Sequence, residues 1–303
     1  MIRKVNSVGT GTLTLSLPAD WVKKNRVQKG DLVYVTEDKN GALKLEIKEP
    51  KEDHLRKELN SEGLVLYLRK LLAGFYKAGY DEVEVRYSSS DEVDRIQTLL
   101  EYTCIGYEIM NIGKKTITVK SVSKIMTEEF DEMYRKIFNI ISGIGHELTD
   151  ALASKDFEKV KSTIIRHKLV NRYADFCRRT INKYPPRFAK AGPQYSVLET
   201  LEKISDHYRA LAEEIVEFRQ QPSKDIIDML RKANNFFDAA KTLYYQYDHL
   251  AMQKFIQQHK ALNKELVPGN LSLKKEELML FFYLKTIIQM SYDMNGPITT
   301  INV

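Results

Sequence analysis

Polar and apolar residues alternate at every position of Thr12-Leu13-Thr14-Leu15-Ser16-Leu17, the period-2 mark of a strand with one buried face. Pro18 follows, suited to the first position of a helix, where a missing N–H costs nothing, and Ala19 to Lys24 supply that short helix. Lys29-Gly30-Asp31 turns the chain into a second strand, Leu32 to Thr36, and Asn40-Gly41 is a type I′ hairpin signal before a third, Leu43 to Ile47. The pattern predicts half of a small β-barrel. A unit of this size without disulfide or metal has too little interior to stand alone and is expected to complete its core with a second copy.

Beyond it, the charged stretch Lys48 to Asn60, headed by Pro50, reads as linker or the first turns of a helix. Leu64, Leu68, Leu71, Leu72 and Phe75 recur at helical spacing up to Gly79, and Val83, Val85 and Tyr87 alternate as a strand. Ser89 with Glu92 predicts a capping box for a helix ended by Gly106, and Tyr107 to Ile112 and Thr116 to Val122 follow as strands. From 124 to 303 the periodicity is helical and the sequence is duplicated. Glu132-Met133-Tyr134-Arg135-Lys136 reappears as Asp228-Met229-Leu230-Arg231-Lys232, and His167-Lys168-Leu169-Val170-Asn171 as His259-Lys260-Ala261-Leu262-Asn263. Leu201 to Ile204 likewise matches Leu284 to Ile287. Breakers at Ser154 to Asp156, Pro185-Pro186, Gln221-Pro222-Ser223, Val267-Pro268-Gly269 and Asn295-Gly296-Pro297 predict three helices per copy. Ser196 and Glu199 predict a capping box at the start of the third.

The expected fold is therefore multidomain α+β. A β-barrel half spans 1–50, a small α/β module 51–123, and two three-helix bundles, six helices in all, span 124–303, divided at about 220–222.

Charge sharpens this picture at one end. Of the net +6, residues 1 to 30 hold six cations (Arg3, Lys4, Lys23, Lys24, Arg26, Lys29) against Asp20 alone. A nucleic-acid partner would dock there rather than along the whole surface. Cys104 and Cys177 are isolated, which excludes a zinc ribbon or disulfide framework. The amino terminus has no apolar signal core and no run is long enough to span a bilayer, so a cytoplasmic protein without membrane insertion is expected. No nucleophile with an adjacent base, phosphate loop or HExxH motif occurs, and Gly9-Thr10-Gly11 lacks nucleotide-loop spacing, so catalysis is not expected.

The order Arg3-Lys4-Val5, Gly9 to Pro18, Trp21, Lys29-Gly30-Asp31 and Asn40-Gly41 resembles the AbrB/MazE/SpoVT swapped-hairpin DNA-binding domains. The resemblance implies two interleaved chains forming one barrel, with Arg3, Lys4, Lys23, Lys24 and Arg26 contacting phosphates and groove and the Thr10 and Thr12 hydroxyls helping as positioning donors. The same cations would also suit a solvated face on a module that only dimerises.

On the third helix, Glu202 and Asp206 stand four apart, placing both carboxylates on one face. The string Leu201 to His207 in a tandem three-helix repeat resembles the PhoU family, and the whole chain is similar to archaeal PhoU-domain proteins with an AbrB-type amino terminus. That resemblance implies a divalent or iron-type metal at a degenerate site of Glu202, Asp206 and His167. The second copy has Lys285 and Gln289 where the first has the carboxylates, and there the site is expected to be lost. His167 and His259 also read simply as helix-surface residues in a basic setting. It further implies a regulator of phosphate uptake, whose helical region receives a signal from a phosphate transporter ATPase or sensor protein. The alternative is an adaptor that docks on such a partner and uses the barrel only as a homodimer contact. An antitoxin role fits less well, because a long ordered sequence follows the barrel.

Overall fold

The computed structural model describes residues 2–9, 11–37, 41–47, 54–122, 129–184, 188–218 and 220–303. Thr10, Asn40, Pro50, Pro185 and Pro186 lie outside the described residues. The chain divides into two compact units, 1–54 and 55–303.

The first unit holds two antiparallel hairpins around one helix. Strands β1 (Val5–Val8) and β2 (Thr12–Leu15) pair with Val5 opposite Leu15 and Val8 opposite Thr12. Helix α1 (Ala19–Asn25) follows, with Pro18 as its flanking cap rather than its first residue. Strands β3 (Tyr34–Glu37) and β4 (Leu43–Glu46) form the second hairpin. The β2 strand stops two residues short of the alternating pattern, and β3 starts two residues late. The hairpins are separate two-stranded sheets, and no closed barrel forms among the described residues.

The second unit opens with β5 (Arg56–Asn60), which corrects the expectation of a linker or helix there. Pairing decides it. The strand runs parallel to β6 (Glu82–Arg86), and Arg56, on the open face of the sheet, pairs with Glu84 at 2.5 Å and with Glu82 at 3.3 Å. Arg56-Lys57-Glu58-Leu59-Asn60 carries no hydrophobic period, so only the partner strand reveals it. Helices α2 (Leu68–Lys77) and α3 (Ser90–Tyr102) and strands β7 (Tyr107–Ile112) and β8 (Thr116–Ser121) complete a sheet of order β5-β6-β8-β7. The register sets Val83 opposite Val119 and Val85 opposite Ile117, all fully buried with Leu68, Leu72 and Ile96 of the two helices. Helix α2 begins four residues later than the periodicity from Leu64 predicts, because Leu64 to Tyr67 form turns. The Ser89–Glu92 capping box is replaced by a different bond set. The Ser89 side chain accepts no backbone N–H of α3, and the buried Glu92 carboxylate accepts from Ser61, from Ser88 Oγ at 2.7 Å and from Ser89. Burial would raise the Glu92 pKa, but these bonds outweigh it and hold the pKa below the usual carboxylate value.

Helices α4 (Glu129–Ala153), α5 (Phe157–Ile164), α6 (His167–Lys183), α7 (Ala191–Phe218), α8 (Lys224–Tyr245), α9 (His249–Glu265), α10 (Leu278–Asp293) and α11 (Asn295–Asn302) share one continuous core. Three helices per copy is therefore too few. The second helix of the first copy is broken into α5 and α6, and Asn295-Gly296-Pro297 opens α11 instead of ending the helical chain. The Ser196 capping box is also corrected. Helix α7 starts at Ala191, with Gly192 and Pro193 in its first turn, where Pro is tolerated, so Ser196 lies inside the helix. Equivalent positions of the two copies meet where α4 crosses α8. Ser142 Oγ donates to Asp238 Oδ1 at 2.6 Å, and these residues are 96 apart, the offset that relates Glu132 to Asp228. Gly145 permits the approach, since a Cβ there would meet Asn234 Oδ1 at 2.4 Å.

Arginines of α6 join the helices to the α/β module. Arg179, fully buried, donates to the Tyr76 carbonyl at 2.9 Å, to the Tyr80 carbonyl and to Asp81 at 2.9 Å. Its guanidinium also sits 5.0 Å from the Tyr76 ring and 5.2 Å from the Tyr107 ring. Lys183 pairs with the same Asp81, and Asn182 donates to the Lys77 carbonyl at 2.8 Å.

Next to it in sequence, Arg178 serves three carboxylates: Asp175 at 2.9 Å, Glu199 at 2.7 Å and Glu202 at 2.5 Å. Burial pushes the Asp175 carboxyl up to about 6, Lys77 and Arg178 pull it back, and Glu202 adds to the rise. A carboxyl raised in the folded state favours folding while protonated. This stabilisation is complete below the unfolded value of 3.8 and is lost as pH climbs through about 6. Asp175→Asn is expected to flatten that part of the stability profile and to gain about 1–3 kcal/mol above it, as read by urea unfolding at several pH values.

Candidate nucleic-acid interface

The apolar pattern of the first unit lies on one side of each hairpin. In β1–β2 the register places Val5, Leu13 and Leu15 together with Ser7, while Asn6, Thr12 and Thr14 share the other face with Val8. In β3–β4, Val35, Leu43 and Leu45 share a face with Glu37. These positions are the ones a barrel core requires, yet Leu13 is 72% exposed, Leu43 65% and Val35 53%. No described residue of this unit is buried; Trp21, Val22 and Val27 are only half-covered.

The cations sit on the same open unit. Lys23 and Lys24 occupy the last turn of α1, where they complement the negative end of the helix dipole, and Asp20 sits in the first turn. Arg26 caps the helix in the left-handed conformation at φ 54°, its N–H donating to the Lys23 carbonyl at 3.3 Å. A non-glycine residue held there is strained. A glycine would cap this helix more comfortably, and the arginine keeps a charge at its end instead. Arg3, Lys4, Lys23, Lys24 and Arg26 are all exposed, and none forms an ion pair among the described residues. Thr12 is exposed on the polar face of β2, and Thr10 lies outside the described residues. Five unneutralised cations beside an uncovered apolar face can dock a polyanion electrostatically.

Residues 7–54 match the model of the family described as antidote-toxin recognition MazE, bacterial antitoxin. The first unit carries a MazE/AbrB-type domain. The match ends at His54, where the first compact unit ends, and includes Thr12, Lys23, Lys24 and Arg26 but not Arg3 or Lys4. No curated protein and no solved structure matches the chain.

Away from the MazE/AbrB-type domain, the residues expected to hold a metal are otherwise engaged. Glu202 is bound by Arg178, and Asp206 faces Arg209 at 3.8 Å. Burial raises the Asp206 pKa, with Arg209 opposing and Glu202 assisting. His167 donates from Nδ1 to the Ile164 carbonyl at 2.6 Å. Among the described residues, no three His, Cys, Asp or Glu side chains gather to hold a metal ion. In the second copy, Lys285 donates to Asn263 at 2.5 Å, and the buried His259 bonds Gln289 at 3.2 Å and stacks on Tyr292 with centroids 3.7 Å apart. Burial lowers the pKa of both His259 and Lys285.

Residue spacing does not reveal the arginines of α6. A charged pair such as Arg178-Arg179 has the residue type of a solvated surface, and only packing shows both to be buried.

Proposed function

We propose that the chain is a homodimeric DNA-binding regulator, in which two MazE/AbrB-type domains complete one β core and present their cations together. The observation that carries this reading is the first unit itself, with core-type residues uncovered and cations unpaired. Covering Val5, Leu13, Leu15, Val35 and Leu43 by a second copy removes several large apolar side chains from water, at about 1.5–3 kcal/mol for each one fully buried. Leu13→Asp with Leu43→Asp is expected to convert a dimer into a monomer in light scattering and to abolish a DNA gel shift. The helical signal should persist, because residues 55–303 have their own cores. A wild-type monomer would overturn the reading.

The finer proposal is that the helical region is PhoU-like and reports phosphate supply through a transporter ATPase or sensor partner. The repeated order α4, α5–α6, α7 and α8, α9, α10 supports it. Partner binding there would act on DNA affinity as a coupling free energy between two sites. Deleting the gene should alter transcript levels of phosphate-transport genes, and unchanged levels would count against the phosphate role alone. The description of the matched family favours one second reading, an antitoxin, in which the chain would neutralise a toxin while binding DNA. A toxin captured by residues 55–303 would support that reading.

A further inference from the structure

A cavity of about 400 Å³ opens in the second unit where the end of α3 and the start of β7 face α6. That is the size of a small-molecule site. Leu100 and Ile109 give it half-buried apolar walls, and Glu101 stands on its module side. Glu108 borders it from β7, but opposite Lys120 its side chain takes the other face of the sheet from Ile109. Arg172 comes from the helical side.

Arg172 is the informative residue. Its Nε is shielded from solvent with no hydrogen-bond partner, and the side chain makes no ion pair among the described residues. Arg178 and Arg179, on the same helix, are each held by carboxylates. A partly desolvated guanidinium without a counterion loses water and gains nothing in return, so an anion that forks onto it is favoured. The opposite wall sets a second requirement. Glu101 also makes no hydrogen bond or ion pair among the described residues, and it would repel a multiply charged anion such as phosphate. Satisfying both walls takes one carboxylate and one ammonium on a small body with an apolar side.

We propose that this cavity binds a free apolar amino acid, its carboxylate on Arg172, its ammonium toward Glu101, and its side chain against Leu100 and Ile109. Since Arg172 belongs to α6 and the other groups to the α/β module, the ligand would bridge the same two parts that Arg179 joins. The site lies wholly in the second unit and does not depend on the DNA-binding proposal.

Calorimetric titration of the full chain with L-leucine, L-valine and L-phenylalanine tests this, alongside isovalerate, which lacks the ammonium, and isoamylamine, which lacks the carboxylate. At least one amino acid is expected to bind saturably, with both truncated probes weaker by about tenfold or more, one charge-assisted hydrogen-bond set. Arg172→Met should abolish binding, and Glu101→Gln should weaken the amino acid without weakening isovalerate. Arg172 has no partner to lose, so the unfolding midpoint of its variant should match or exceed that of the wild type, which separates lost binding from lost folding. No binding of any of the three amino acids at millimolar concentration would overturn the proposal. So would isovalerate binding as well as leucine, or binding that survives Arg172→Met.

Discussion

Arg179→Met is expected to destabilise the second unit by about 3–5 kcal/mol in urea unfolding, the usual cost of removing one partner from a buried charge pair. The guanidinium is fully buried, donates to two backbone carbonyls and to Asp81, and lies against two tyrosine rings. Its loss leaves the Tyr76 and Tyr80 carbonyls without that donor. Asp81 keeps Lys183 and the Leu55 N–H, so its charge is not orphaned, which places the expected cost nearer the lower end. Asp81→Ala should cost a similar amount from the other side, because Arg179 and Lys183 then face each other without an anion between them. The double variant Asp81→Ala/Arg179→Met should cost clearly less than the sum of the two single variants, since the contact between the two residues is counted in both singles but lost only once in the double. Full additivity would show that the two residues do not act as one contact. Gly79 belongs to the same seam. It holds φ 92°, and a Cβ there would meet Lys183 Cβ at 3.3 Å.

DNA affinity is expected to collapse with salt. Five cations per copy, ten in a dimer, would displace counterions from the duplex. Six to ten phosphate contacts correspond to a loss of about 10³–10⁵ in affinity between about 50 and 200 mM salt. Lys23→Ala/Lys24→Ala/Arg26→Ala should weaken binding at low salt by at least about a hundredfold. It should also flatten the plot of log affinity against log salt by about 0.9 for each phosphate contact removed. All three side chains are exposed and lack ion pairs among the described residues, so the unfolding midpoint should barely move. An unchanged salt slope in the triple variant would assign DNA contact elsewhere. A protein that ignores DNA at low salt would favour the adaptor reading.

Much of this architecture is determined by local sequence. The alternation at Thr12 to Leu17 places Leu13 and Leu15 on one face of β2, because side chains on a strand must alternate. The cluster of cations near α1 is a matter of composition, and the helical character after Glu129 follows from periodicity, although the split of α5 from α6 and the presence of α11 do not. The duplication is legible because equivalent residues recur at nearly fixed offsets.

Tertiary structure decided the rest. Residues 56–60 have no hydrophobic period, so their strand exists only because β6 offers a hydrogen-bonding edge. Ser196 and Glu199 have the spacing of a cap, but the helix begins earlier at Ala191 and Glu199 turns to Arg178, a residue of another helix. Glu202, Asp206 and His167 have ligand chemistry, yet Arg178 and the Ile164 carbonyl claim two of them. Whether a charged side chain is solvated, paired or left facing a cavity depends on which elements fold against it. Three arginines of one helix, Arg172, Arg178 and Arg179, differ in fate for that reason alone.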